Sequence, residues 1–167
     1  MSSNSDSSTV DRPNRIKHTY TQTIRATPEQ VFPLLCPVRE HDWVPGWATD
    51  WIISGSGAAE QGCMFQTPPP AGAKNASIWV VTHHHPEAFE VEMYKVTPGH
   101  TVGKLEITLA PNGSTGAHAQ ISYEFTSLGP PGDEFLRAFT ASWYETFMQG
   151  WEAAMNHYLD TGERLSK

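Results

Sequence analysis

Apolar and polar residues alternate along this chain with two different periods, and the change of period divides it into elements. From 16 to 24, Ile16, His18, Tyr20, Gln22 and Ile24 share one face and Lys17, Thr19, Thr21, Thr23 and Arg25 the other. Period two with several threonines predicts a strand. Four more runs, at 76–84, 88–97, 102–110 and 117–128, repeat the pattern. Their breaks, His85-Pro86-Glu87, Pro98-Gly99-His100 and Pro111-Asn112-Gly113, have hairpin length and hairpin chemistry. The meander is therefore antiparallel. Phe89, Val91 and Met93, then Leu105, Ile107 and Leu109, then Ala119, Ile121, Tyr123 and Phe125 mark its dry face, as in a sheet covered on one side. In Ile78, Trp79, Val80 and Val81 both faces are apolar, which leaves Trp79 unassigned.

Towards the C-terminus the period becomes four. From 133 to about 160 there is no proline, and Phe135, Phe139, Trp143, Phe147, Trp151 and Met155 recur every fourth residue. The spacing predicts one continuous helix of roughly 28 residues, a rod of about 40 Å. A rod of that length needs the β-rich middle of the chain as its partner. Near the N-terminus, Thr27, Pro28 and Glu29 form a helix entry, with Thr27 as N-cap and Pro28 at the first helical position. That helix runs to Pro37, with Pro33 tolerated in its first turns. A second short helix is expected between Pro37 and Trp47, and short strands at 51–53 and 63–67. The proline run 68–70 is a surface loop. Residues 1–14, serine-rich and without apolar residues to bury in number, are expected to be a disordered tail, and 15–167 a single domain.

Composition narrows the function classes. A net charge of −7 argues against a nucleic-acid partner and against an anionic membrane surface. No apolar run approaches the ~20 residues that span a bilayer, and the start lacks the basic and apolar regions of a signal peptide. Cys36 and Cys63 are too few for a disulfide framework, so a cytoplasmic setting is the expectation.

The order of elements (strand, two short helices, curved antiparallel sheet, long C-terminal helix) resembles the helix-grip fold of the SRPBCC superfamily. That superfamily takes in START lipid-transfer domains, birch-pollen-allergen relatives and polyketide cyclases. The resemblance rests on residues 26–32, the Trp79-Val80-Val81-Thr82 strand, the ladder to Tyr123-Glu124-Phe125, and the tail helix from Phe135 to Leu159. It covers about residues 15 to 160. It implies an α+β domain with about seven strands gripping the last helix, and a cavity between sheet and helix. It does not fix one chemistry.

Candidate cavity residues are Trp43, Trp47, Phe65, Trp79, Met93, Leu105, Tyr123, Phe139, Trp143, Phe147 and Trp151. Each fits core packing as well as a ligand wall. His18, Tyr20 and Gln22 are the polar groups that β-alternation aims at the cavity. In Arg39-Glu40-His41-Asp42, Glu40 or His41 suits a general acid or base at the rim, though four polar residues in a row equally fit a solvated helix face. Proton-handling candidates are accordingly His18, Tyr20 and His41.

Within His83-His84-His85, only His83 and His85 can converge, because neighbouring strand residues point apart. A third ligand would have to come from His100, His118 or Glu87, and no recognised zinc spacing is present. A polar strand end is the expectation, with no metal and no cofactor. Nucleophile and phosphate-loop motifs are lacking. Gly150 inside the long helix implies close approach of the sheet or a bend that makes room for a ligand. The resulting expectation is a binder of a small hydrophobic molecule, lipid-like or aromatic. The alternative is a polyketide cyclase, aromatase or dehydratase using the same cavity.

Overall fold

The protein's structure, a computed structural model, describes residues 14–166. The tail expected over 1–14 lies outside the described residues except for Asn14. Among those residues, seven strands form one antiparallel sheet, ordered β1-β7-β6-β5-β4-β3-β2. They are β1 (Arg15–Ile24), β2 (Asp50–Ile53), β3 (Met64–Thr67), β4 (Ser77–His85), β5 (Glu90–Thr97), β6 (Thr101–Asn112) and β7 (Gly116–Ser127). The helices are α1 (Pro28–Val31), α2 (Glu40–Trp43), α3 (Pro130–Ala138) and α4 (Ala141–Thr161). The helix-grip architecture is therefore present, with two local differences from the sequence reading.

The first helix is shorter than expected. α1 gives way at once to a 3₁₀ turn, Phe32–Leu35. Pro33 lacks an amide and its ring crowds the carbonyl four residues back, so the α-helical ladder does not continue past it.

The second difference matters more: the C-terminal rod is two helices. Phe139 leaves helical geometry at φ −79° and ψ 63°. Thr140 restarts the helix as N-cap of α4, its hydroxyl accepting the Trp143 amide at 3.2 Å. His18 locks the break, its Nε2 donating to the Phe139 carbonyl at 2.9 Å while its ring packs 4.8 Å from the Phe139 ring. α4 has 21 residues, so the straight rod is about 30 Å long.

α4 lies along β1, an edge strand, and its side chains take up polar groups on that strand. Glu152 accepts the Thr23 amide at 2.6 Å. Asn156 accepts the Arg25 amide at 2.8 Å and donates to the Thr23 carbonyl at 3.0 Å. Gln22, buried, donates to the Met148 carbonyl at 2.9 Å. The end of the edge from Thr23 to Arg25 is thereby closed to pairing with another chain. The core beneath is built from the inward faces of β1 and β4–β7 with Met148, Tyr144 and Met155 of α4. Trp79 belongs to that inward set at 4 % exposure, which settles the position that the sequence left unassigned.

Candidate functional site

Because α4 hugs one edge of the sheet, the middle of the concave face is only partly covered. A cleft of about 560 Å³ opens there, within the range of about 300–1,000 Å³ typical of small-molecule sites. Trp79, Lys95 and Tyr123 of the sheet form one wall. Pro45, Gly46 and Trp47, from the loop after α2, form a second, and Phe147, Gly150 and Trp151 of α4 a third. Five aromatic side chains, Trp47, Trp79, Tyr123, Phe147 and Trp151, line it. Trp47 meets Trp79 edge-on at 6.5 Å, and Trp79 stacks on Phe65 at 5.4 Å.

Lys95 is the group that gives the cleft its chemistry. It follows Val91 and Met93 at period two, so it sits on the inward face of β5, opposite Trp79 on β4 and Gly103 on β6. A Cβ at Gly103 would lie 2.6 Å from the Phe125 ring, so glycine there makes room for that buried ring next to the lysine's strand. The ammonium rests 5.1 Å from the centroid of the Trp79 ring, a cation–π contact. Among the described residues it has no carboxylate partner within ion-pair distance. Desolvation pushes its pKa down to about 8.

A second ionisable group is sealed behind the cleft. Glu40, in α2, is 6 % exposed, and burial pushes its carboxyl up to about 8. Its field reaches Tyr123, whose phenol is driven well above its ordinary value first by burial and then by Glu40 and Tyr144. Around neutral pH the carboxyl is therefore largely protonated, an acid rather than a carboxylate.

The sequence-derived candidates divide into three groups. Trp47, Trp79, Tyr123, Phe147 and Trp151 come together in the cleft. Phe139 and Trp143 line a second groove of about 380 Å³ beside α3, with His100 and Phe135. Trp43, Phe65, Met93 and Leu105 are buried at 1–4 % exposure and pack behind the cleft wall.

The polar candidates on β1 work elsewhere. His18 and Gln22 are latches to Phe139 and Met148, and Tyr20 is half-buried against the core away from the cleft lining. Their inward orientation was read correctly, but α4 covers that edge of the sheet. His41 and Asp42 are exposed on α2, whereas Glu40 of the same polar run points inward. Glu40 shares a helical face with Trp43 and Val44 at i+3 and i+4, which was the available signal. Lys95 was not recognised, although its parity with Val91 and Met93 carried the information.

Gly150 lines the cleft, and a Cβ built on it meets nothing within 4 Å. Close approach of the sheet is thereby excluded as its reason, and α4 runs through it unbroken. Gly150→Ala is expected to stabilise the fold by about 1 kcal/mol in urea denaturation, since the helix gains propensity without a clash. An unchanged or lowered midpoint would mean that the position is tighter than its open surroundings indicate.

Residues 15–155 match the family model described as polyketide cyclase / dehydrase and lipid transport. The chain belongs to that family. A search of curated protein sequences found no match. Among solved structures, norcoclaurine synthase from Thalictrum flavum aligns with a TM-score of 0.64 at 10 % identity, covering 89 % of this chain and 88 % of that one. Ara h 8.0201 aligns with a TM-score of 0.62 at 13 % identity, covering 89 % and 99 %. A protein from Mesorhizobium loti aligns with a TM-score of 0.60 at 16 % identity, covering 87 % and 97 %. At such identities these likenesses establish the fold and nothing finer. No helix among the described residues is long and apolar enough to cross a membrane.

Proposed function

We propose that the cleft binds one small, flat, largely apolar molecule whose single acidic or carbonyl group meets Lys95. The observation that carries this reading is the amine itself, held on an aromatic wall with no carboxylate partner among the described residues. A half-buried charge without a partner is costly, and a ligand anion or carbonyl oxygen offsets part of that cost. Trp47, Trp79 and Trp151 supply flat faces for an aromatic or polycyclic body. Whatever co-purifies should be found by native mass spectrometry of gently purified protein, and a library of aromatic and fatty carboxylates should then be screened by thermal shift. Lys95→Met is expected to weaken binding of the acidic ligands at least tenfold, while leaving their neutral analogues little changed. Equal losses for acids and neutral analogues would remove Lys95 from the recognition.

A second reading, turnover of the cyclase or dehydratase type, is favoured by the proton affinities. Lys95 and Glu40 both exchange protons near pH 8, where an amine serves as base and a carboxyl as acid. In this reading Lys95 removes a proton next to a ligand carbonyl, and Glu40 acts through Tyr123 on the polarity of the cleft. Loss of turnover in Lys95→Met with binding retained for a neutral ligand supports the enzyme. Binding without turnover across the same library supports the carrier.

A further inference from the structure

The sheet's other face carries a cluster that neither the cleft nor the family accounts for. β4 is bulged between Val81 and His83. Before the bulge Val81 faces inward, opposite Met93; after it His84 does so, opposite Val91, with its ring 5.4 Å from that of Phe32. The bulge thus turns His83 and His85 together onto the outer face, their rings 5.9 Å apart. Across the strand pair, Glu90 stands opposite His85, and its Oε2 lies 3.4 Å from His83 Nε2. One ligand atom from each of the three side chains falls within 4.8 Å of the others.

The surrounding charges leave this carboxylate available. Glu92, the next acid on the strand, is engaged by the Thr82 hydroxyl at 2.7 Å and by Lys104 at 3.0 Å. Lys104 is held in turn by Glu106 at 3.1 Å. The hairpin is fixed by the Ala88 amide donating to the His85 carbonyl and the Phe89 amide to the Pro86 carbonyl, both at 3.2 Å. All three side chains therefore stand on a paired strand framework.

We propose that His83, His85 and Glu90 bind one Zn²⁺ ion on the outer face of the β4–β5 hairpin. Two imidazoles and a carboxylate form a donor set suited to zinc and unlike the all-oxygen shells of Mg²⁺ and Ca²⁺. The solvent side leaves the remaining coordination to water. The third ligand sought in the sequence at His100, His118 or Glu87 is supplied by Glu90 across the hairpin.

The full chain, stripped with a chelator, should be titrated with Zn²⁺ against a chromogenic competitor. One equivalent is expected per chain, with His83→Ala, His85→Ala and Glu90→Gln each weakening affinity at least about tenfold. Histidines elsewhere, tested as His118→Ala and His157→Ala, should leave it unchanged. Zn²⁺ should raise the melting temperature of the parent chain and not that of His83→Ala/His85→Ala, whose far-ultraviolet circular dichroism should match the parent. Unchanged affinity in the double histidine variant, or in Glu90→Gln, overturns the site. Competition by millimolar Mg²⁺ overturns the choice of metal.

Discussion

Glu40→Gln is expected to stabilise the protein by about 2–4 kcal/mol at pH 8 and by almost nothing at pH 4. The carboxyl titrates near 8 in the folded chain because burial disfavours its charged form, against an ordinary value of 4.5. Below both values, folded and unfolded states alike carry the proton and the group has no effect. Between about 4.5 and 8 the unfolded state has released its proton while the folded state keeps it. The unfolded state therefore binds fewer protons, and stability falls as pH rises through that window. Above pH 8 the whole penalty is present, with an upper limit on the order of 5 kcal/mol at about 1.4 kcal/mol per pH unit. Relaxation around a charged Glu40 reduces it. Glutamine has nearly the same shape and does not titrate, so the gain in urea denaturation should grow steadily from pH 4 to pH 8. A pH-independent difference would show that the carboxylate is solvated or paired when charged. Keeping such a residue at a stability cost fits a group whose proton serves the cleft.

How far the sequence discloses this molecule depends on which physical constraint wrote each segment. β5, β6 and β7 are legible because one face is dry and one wet, so parity alone places Val91, Leu105 and Ile121 inward. The same parity places Lys95 inward, but a lysine on a dry face is easily passed over as the end of a pattern. Glu40 is a rim candidate in the sequence, but its burial is legible only faintly. Its three neighbours in Arg39-Glu40-His41-Asp42 are exposed, and in a four-residue helix the only mark of its inward turn is the spacing to Trp43 and Val44. For His18 and Gln22 the face was legible and the neighbour was not, because nothing local says that α4 will lie on that edge of the sheet. The break at Phe139 escaped notice because the aromatic spacing continues across it. Its one local mark is Thr140, a residue type suited to an N-cap but common elsewhere too.

The largest mutational contrast lies between the two ends of one chain of touching aromatic rings, Trp43 in α2 and Trp143 in α4. Trp43→Ala is expected to cost about 3–5 kcal/mol and Trp143→Ala less than about 1 kcal/mol, although both tryptophans belong to the same chain of touching rings. Trp43 is 1 % exposed, donates to the Leu34 carbonyl at 2.8 Å, and meets Trp151 edge-on at 5.6 Å. Its removal leaves a cavity and strips a buried carbonyl of its donor. Trp143 is 47 % exposed and stacks on Phe147, itself 37 % exposed, at 5.1 Å. Trp43 is buried from α2, and helix geometry explains why Trp143 on α4 is not. Spacing of four overshoots a 3.6-residue turn by about 40° at each step, so a strict every-fourth stripe winds off the core face. The face that is buried runs through Tyr144, Met148, Trp151 and Met155, spaced four, three and four, which follows the true period. Trp143 and Phe147 are thereby left on the rim, one at each of the two grooves that flank the stack. Guanidinium denaturation of both variants measures the contrast directly. Similar costs would mean that α4 is rotated in solution and that the rim aromatics are core.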